Sequence, residues 1–327
     1  MQYTKIPHTD LETSTIIYGC MRAAGGWHFK EANAEAVDNT RRVVDAALEA
    51  GINFFDHADI YCAGVCESAF GKVLAERPEL RDSMIIQTKC GIRFANTPEA
   101  GMPGRYDFSY DHIVESAEAS LRRLGVDTID VYLLHRPDPL VEPEEVARAF
   151  DHLEESGKVR YFGVSNHSGH QIDLLRKYLN QPLVTNQLEV SLLHTCLIDP
   201  GTAVNQNQPQ WSTPGEGTLE YCRIHDISVQ SWSPLAQGRL GADTVDDLKN
   251  PDHKELYSAL HQMAEAKGVS VEAVLLAWVL RHPAKIQPII GTTQAERIHA
   301  CAAACEITLS REEWNTLYIL ARGKPMG

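Results

Sequence analysis

Residues 33–61 read NAEAVDNTRRVVDAALEAGINFFDHADIY. Val37, Val44 and Leu48, with Ala36, Val43 and Ala47 beside them, recur at helical spacing and predict an amphipathic helix over Asn33–Ala50. Gly51 follows the last periodic residue, where a helix ends on a left-handed residue. Asn53–Asp56 then reads as a short, largely apolar strand. The strand runs directly into Asp56, His57 and Asp59, and Tyr61 comes next. Ionisable groups at the end of a buried strand cost desolvation energy unless they are paired. The bland reading is that Asp56 caps a turn and Tyr61 is a core aromatic. The placement of possible partners elsewhere in the chain decides between the two.

The helix–strand unit recurs. Thr15–Tyr18 precedes it as a β-branched run. Strands follow at Met84–Thr88, Ile129–Leu134, Tyr161–Val164, Val184–Leu188, Ser228–Trp232 and Ile286–Ile290. Between them, helices are expected at Glu67–Ala75, Asp111–Leu124, from Pro143 to the stop at Gly157, Gln171–Leu179, Lys254–Lys267 and Val271–His282. Ala295–Ala304 follows the last strand, and Arg311–Ala321 is an extra C-terminal helix. Strands that alternate with helices imply a parallel sheet with right-handed crossovers. Eight such units predict a (β/α)8 TIM barrel, one domain over residues 1–327. The rival is a doubly wound open sheet, which a GxGxxG after the first strand would support. That motif is absent from the sequence.

Two stretches break the rhythm, Phe94–Ser109 after the third strand and Asp199–Gly217 after the sixth. In a barrel both are long loops at the C-terminal face, where active sites lie. The second is expected to fold over a ligand as a lid, with Trp211 as its apolar contact.

Composition narrows the classes of function. The chain has 327 residues, 43% of them hydrophobic, enough for a large core. Its formal net charge of -14 disfavours nucleic acid. No run reaches the ~18 apolar residues of a membrane span. MQYTKIPHTD has no basic segment ahead of an apolar one, so no signal peptide is expected. The 8 cysteines include Cys62 and Cys66, and Cys301 and Cys305, without paired halves at zinc-site spacing. They read as thiols in a reducing cytoplasm. A metal site at Cys62, Cys66 and His57 is the weaker alternative, and no metal is expected.

In a parallel barrel the C-terminal ends of the strands converge on one mouth. They deliver Asp56 and Tyr61, Lys89, His135, Ser165 and Asn166, Asn186 and Gln187, Trp232, and Gly291–Thr293. Singly, a Lys after a strand is usually a solvated charge and a His a satisfied one. Jointly, Asp, Lys, Tyr and His make a proton donor. A nearby ammonium favours tyrosinate and lowers the phenol's pKa. A carboxylate keeps that ammonium charged, and a neutral His orients an oxygen that gains charge. Carbonyl reduction also needs a hydride, which a cofactor carries.

With DHADIY, QTKCG, YLLHRP, GKVRYFGVSN, TNQLE and SWSPLAQG in view, the sequence resembles an aldo-keto reductase from about Thr15 to Trp314. It is most similar to the bacterial branch with DHADIY and HRPDP motifs. The resemblance implies that Asp56, Tyr61, Lys89 and His135 form the catalytic tetrad. It implies that Ser165, Asn166 and Gln187 hold the nicotinamide carboxamide, and that Trp232 stacks on the ring where many members have Tyr. Ser233, Leu235 and the segment Gly291, Thr292, Thr293, Gln294 and Arg297 match further cofactor positions. Gly291–Thr293 should open a helix whose N–H groups suit an anion, and Arg297 should pair with a 2′-phosphate. The implied cofactor is NADPH/NADP+, with NADH the weaker alternative because Gly291 stands where some members carry a Lys. Trp27, Arg136 and Trp211 are expected around the substrate, and substrate identity lives in such loops.

Three functions compete. The first is a reductase or dehydrogenase of a small aldehyde, ketone or keto-sugar and its alcohol. The second is a cofactor-sensing regulatory subunit of the same fold, against which the short N-terminal segment speaks. The third is a Schiff-base aldolase using Lys89, against which Asp56 speaks, because a carboxylate keeps the lysine protonated. The sequence does not name the oligomeric state.

Overall fold

The computed structural model describes residues 1–203, 215, 217–241 and 253–323. The chain opens with β1 (Tyr3–Lys5), β2 (Glu12–Ser14), β3 (Ile17–Gly19), α1 (Ala34–Glu49), β4 (Phe54–Asp56), α2 (Val65–Glu76) and β5 (Ile85–Cys90). It continues through β6 (Ile92–Arg93), β7 (Arg105–Tyr106), α3 (Tyr110–Leu124), β8 (Ile129–Leu134), α4 (Pro143–Glu155), β9 (Val159–Ser165), α5 (Gly169–Arg176) and β10 (Leu183–Glu189). Then come α6 (Asp199–Ala203), α7 (Thr218–Ile224), β11 (Ser228–Trp232), α8 (Lys254–Lys267), α9 (Val271–Leu280), β12 (Gln287–Ile290), α10 (Ala295–Ala302) and α11 (Arg311–Arg322).

Eight strands close a barrel in the order β10-β11-β12-β3-β4-β5-β8-β9. Every barrel pairing is parallel. The expected (β/α)8 barrel is therefore the fold.

The period-2 alternation of a strand sorts its residues into layers. On β5, Ile85 lies in an apolar cluster with Ile17, Phe54, Val131, Leu133, Val184 and Ile289, inside the barrel. Ile86, one residue on, packs among Val43, Val44 and Phe70 under α1 and α2. Gln87 and Lys89 share the inward face with Ile85. The barrel floor is thus apolar, and its upper layers are polar.

β1 and β2 form an antiparallel hairpin that the sequence reading missed. Ile6 and Leu11, between its strands, join the floor cluster and are buried. They cover the barrel's N-terminal end. Each strand has only three residues, too short a run for the alternation to be read.

The Phe94–Ser109 stretch, expected as a plain loop, carries a two-stranded ribbon at its base: β6 and β7 pair, Ile92 with Tyr106 and Arg93 with Arg105. Asp199–Gly217 begins as the short helix α6, and residues 204–214 and 216 lie outside the described residues, so the lid and Trp211 do too. α7 was not expected. The extra C-terminal helix is α11. It docks on α9 through stacked indoles of Trp278 and Trp314, 4.9 Å apart. Each indole N–H donates to the other residue's carbonyl, at 3.2 and 3.0 Å. Among the described residues, no helix is long and apolar enough to cross a membrane.

Candidate active site

Asp56 ends β4, Lys89 lies near the end of β5 and His135 follows β8, so adjacent strands deliver three of the four expected residues to one mouth. Tyr61 arrives on a tight turn after β4. Cys62, Ala63 and Gly64 all have positive φ there, at 48, 53 and 88°. Such backbone is costly for residues other than glycine and is kept where surrounding structure imposes it.

The Lys89 ammonium is fully buried and has three acceptors. It donates to Asp56 Oδ2 at 2.8 Å, the His57 carbonyl at 2.7 Å and Tyr61 Oη at 2.9 Å. Burial pulls its pKa down, but Asp56 and Tyr61 outweigh that, and the group is held above its ordinary value. Lys89 is therefore a fixed cation, and an amine nucleophile is not what this site provides. Burial, then the charges of Lys89 and Arg136, hold the His135 imidazole well below its ordinary value, so it is neutral. Its ring meets the Tyr61 ring edge-on at 6.1 Å.

One expectation is corrected. Lys89 was expected to bring the Tyr61 phenol below its ordinary pKa. Burial instead pushes it up to about 12, and the charge and hydrogen bond of Lys89 recover only part of that. Desolvation of a buried anion outweighs one cation already neutralised by Asp56.

The next group sits beside the tetrad. Ser165 Oγ donates to the Gln187 carbonyl at 2.9 Å and accepts from Asn166 Nδ2 at 2.8 Å. Asn166 Nδ2 also donates to the His135 carbonyl at 3.1 Å, and its Oδ1 accepts from Trp232 Nε1 at 3.0 Å. Asn166 and Ser233 have φ of 62 and 52°. Leu235 is partly buried against the core. The structure thus brings Ser165, Asn166, Gln187 and Trp232 into one network above the barrel. The Arg136 guanidinium lies 5.4 Å from the centre of the Trp232 ring. Trp27 is 53% exposed and meets Phe94 edge-on at 6.4 Å, which ties it to the arm after β5.

Gly291, Thr293 and Gln294 are exposed after β12, and the Tyr18 hydroxyl donates to the Thr292 carbonyl at 3.1 Å. Gly291–Thr293 were expected to open the helix and do not: α10 begins at Ala295 with Gln294 as its N-cap, and no side chain caps it. Arg297 is 54% exposed, and its Nε lies 3.9 Å from Glu272 Oε1. An uncapped helix start and an exposed guanidinium are donors that fit a phosphate.

His57, Cys62 and Cys66 do not converge as metal ligands would. Both thiols turn to the Met21 carbonyl, at 3.6 and 3.4 Å. The His57 ring packs edge-on to Phe70 at 4.6 Å, and burial followed by Lys89 pulls it down to about 3.

The sequence reading passed over several polar residues. Gln87 and Gln230 are buried in the interior, Gln87 level with Asp56. Glu67, also buried, pairs with Arg123 at 2.7 Å and accepts from Thr88 Oγ1 at 2.6 Å, joining α2, α3 and β5. Burial and then Glu67 push the Asp59 carboxyl up to about 7. A signal for Gln87 was present: it lies two residues before Lys89 in a strand, hence on the same face.

The aldo/keto reductase family model matches residues 15–322. The oxidoreductase YcsN of Bacillus subtilis is 37% identical over 96% of this chain and 96% of its own. A 6-dehydroglucose reductase of Agrobacterium fabrum is 38% identical, again over 96% of each chain. The solved structure of the glycerol dehydrogenase AKR11B4 from Gluconobacter oxydans superposes with a TM-score of 0.79 at 28% identity, over 99% of this chain and 96% of that one. A match spanning nearly every strand and helix leaves no other assignment: the chain belongs to the aldo/keto reductase family and is an oxidoreductase acting on carbonyl groups.

Proposed function

We propose that the protein is an NADP(H)-dependent reductase of small aldehydes, ketones or keto-sugars, with Tyr61 as the general acid. The observation that carries this reading is the Asp56–Lys89–Tyr61 chain, at 2.8 and 2.9 Å. A bound nicotinamide supplies the hydride. The protein's part is the proton and the electrostatics. Lys89 donates to Tyr61 Oη, which leaves the tyrosine's own proton for a carbonyl oxygen in the mouth. Lys89 also stabilises negative charge left on Tyr61 as that proton departs. Asp56 fixes the direction of Lys89. Neutral His135 donates a hydrogen bond to the same oxygen. Ser165, Asn166 and Gln187 present amides and a hydroxyl to a carboxamide, Trp232 offers its ring face, and Gly291–Arg297 take the adenosine phosphate.

The substrate class draws support from the relative named a 6-dehydroglucose reductase, whose substrate is an aldehyde sugar. Arg136 and Trp27 belong to the proposed substrate wall, Arg136 as a hydrogen-bond donor to hydroxyls and Trp27 as an apolar face. The whole chain acts as one catalytic domain.

The experiment is a carbonyl panel. Purified protein is mixed with NADPH and with aldehydes, ketones and keto-sugars, 6-dehydroglucose included, and loss of reduced-cofactor absorbance is followed. Turnover that Tyr61→Phe abolishes supports the reading. Tight NADPH binding with no turnover of any carbonyl would leave the cofactor-sensing subunit in its place.

A further inference from the structure

Beneath the tetrad, three glutamines span the barrel. The strand registers place Asp56 level with Gln87 across β4 and β5, and Gln187 level with Gln230 across β10 and β11. In the closed strand order these two pairs face each other across the interior. Asp56 Oδ1 accepts from Gln87 Nε2 at 2.6 Å and from Gln187 Nε2 at 3.0 Å. The same two nitrogens each donate to Gln230 Oε1, at 2.8 and 3.0 Å. Gln230 Nε2 returns a bond to Gln87 Oε1 at 3.0 Å. All four residues are buried.

Only one arrangement of these amides satisfies the network. Asp56 is paired with the Lys89 ammonium, so it is a carboxylate and only accepts. Gln87 and Gln187 must therefore turn their NH2 groups to it. Each has one N–H left, and both meet the amide of Gln230, which must answer with its oxygen. Its own NH2 then satisfies Gln87 Oε1. Turning Gln187 over would set its oxygen against two acceptors, Asp56 Oδ1 and Gln230 Oε1, in a dry interior where each unmade bond is costly. Among the described residues, Gln187 Oε1 is the one amide oxygen of the three with no donor.

We propose that Gln87 and Gln230 are positioning residues that, with Asp56, lock the Gln187 amide so that it offers its Oε1, an acceptor, to the NH2 of the nicotinamide carboxamide. The proposal rests on the nicotinamide reading above. It makes the charge at Asp56, which serves the proton donor, also set the polarity of the cofactor contact. Cofactor recognition and catalysis then share one network in the barrel.

The test compares two cofactors by equilibrium binding, with no turnover needed. NADP+ carries the carboxamide NH2; its 3-acetylpyridine analogue has a methyl group there and no N–H to give. Wild-type protein is expected to bind NADP+ roughly tenfold more tightly than the analogue, the fold-change of one buried hydrogen bond. Gln230→Met removes the oxygen that holds the second N–H of Gln187, and its similar volume limits repacking. It should weaken NADP+ and leave the analogue unchanged, so that the preference falls to about threefold or less. Gln87→Met, which removes the partner that orients Gln230, should move the preference the same way and stands in if the first variant does not fold. A merely structural role would weaken both ligands alike, and that result overturns the proposal, as does a folded variant that keeps the full preference. Equal binding of the two by wild-type protein overturns it alone. Failure of wild-type protein to bind either overturns the nicotinamide reading and the proposal together.

Discussion

Lys89 Nζ lies 2.9 Å from Tyr61 Oη and donates to it. Its other two N–H groups go to Asp56 and the His57 carbonyl. An ammonium has three donors, so none is left over. Tyr61 is thereby an acceptor toward Lys89 and a donor only toward the mouth. Tyr61→Phe removes the hydroxyl that receives from Lys89 and that, in the proposed mechanism, gives its proton to substrate. Its kcat for carbonyl reduction should fall by about 10²–10⁴, with NADPH binding retained. Lys89→Met should fall comparably, since the phenol then loses the cation that stabilises its anion. Steady-state rates beside a cofactor titration check both, and near wild-type turnover in Tyr61→Phe would place the proton donor elsewhere.

The pH dependence follows from the Tyr61 phenol being pushed up to about 12 by burial, against the partial opposition of Lys89. Reduction needs the protonated form, which is present below that value. kcat/KM for reduction should therefore stay flat from about pH 6 to 9, since the free enzyme's acid remains charged with its proton throughout. Alcohol oxidation needs the phenolate. Its kcat/KM should climb by about tenfold per pH unit over the same interval until another step limits it. A reduction profile that fell near neutral pH would show a more acidic donor than this one.

The alternation of helix and strand makes the barrel legible in the sequence alone. A strand buried on both faces announces itself as an apolar run, as Ile129–Leu134 does, and it comes out with the very bounds read from sequence. The ends of such runs also named the four residues, Asp56, Tyr61, Lys89 and His135, that the structure brings together. What escaped was of two kinds. Three-residue strands such as Tyr3–Lys5 carry too little periodicity to register. The buried polar partners, Gln87, Gln230 and Glu67, have meaning only through residues brought close by barrel closure: Gln87 and Gln230 are 143 positions apart and bond twice. The phenol's raised pKa escaped for a related reason. A list of neighbouring charges gives the direction of the coulombic effect, whereas desolvation depends on how deeply the turn after β4 sits.

Asp59 gives a stability test. Burial, then Glu67, push its carboxyl up to about 7 in the folded protein, while in the unfolded chain it titrates near ~3.9. The folded state holds the proton more tightly. The associated stability is fully present below the unfolded value and is lost as pH rises through about 7. Asp59→Asn cannot ionise and escapes that loss. At pH 8 it should be more stable than wild type by about 2 kcal/mol, part of the linkage limit because solvent reaches some of the group. At pH 5 the gain should shrink. Denaturant melts at the two pH values check this, and a gain independent of pH would mean that Asp59 is not the titrating group.

On the proposed reading, Arg297 is the residue that discriminates between the two nicotinamide dinucleotides. It is the only Lys or Arg in Gly291–His299, and its side chain is largely in solvent with Glu272 at 3.9 Å as a loose partner. An exposed pair at that distance contributes little, so Arg297 is available to a phosphate that offers a charge-assisted, bidentate contact. Arg297→Ala should weaken NADPH binding by about tenfold or more, the effect of losing roughly 1.5–3 kcal/mol. NADH lacks the 2′-phosphate and should bind the variant nearly as it binds the wild type. Glu272→Gln bears on the same contact from the other side. Removing the competing carboxylate frees the guanidinium, so NADPH should bind slightly more tightly and NADH should not respond. Fluorescence titration of both cofactors against the three proteins gives the answer. Equal losses of NADPH and NADH in Arg297→Ala would show that the 2′-phosphate is held by another residue.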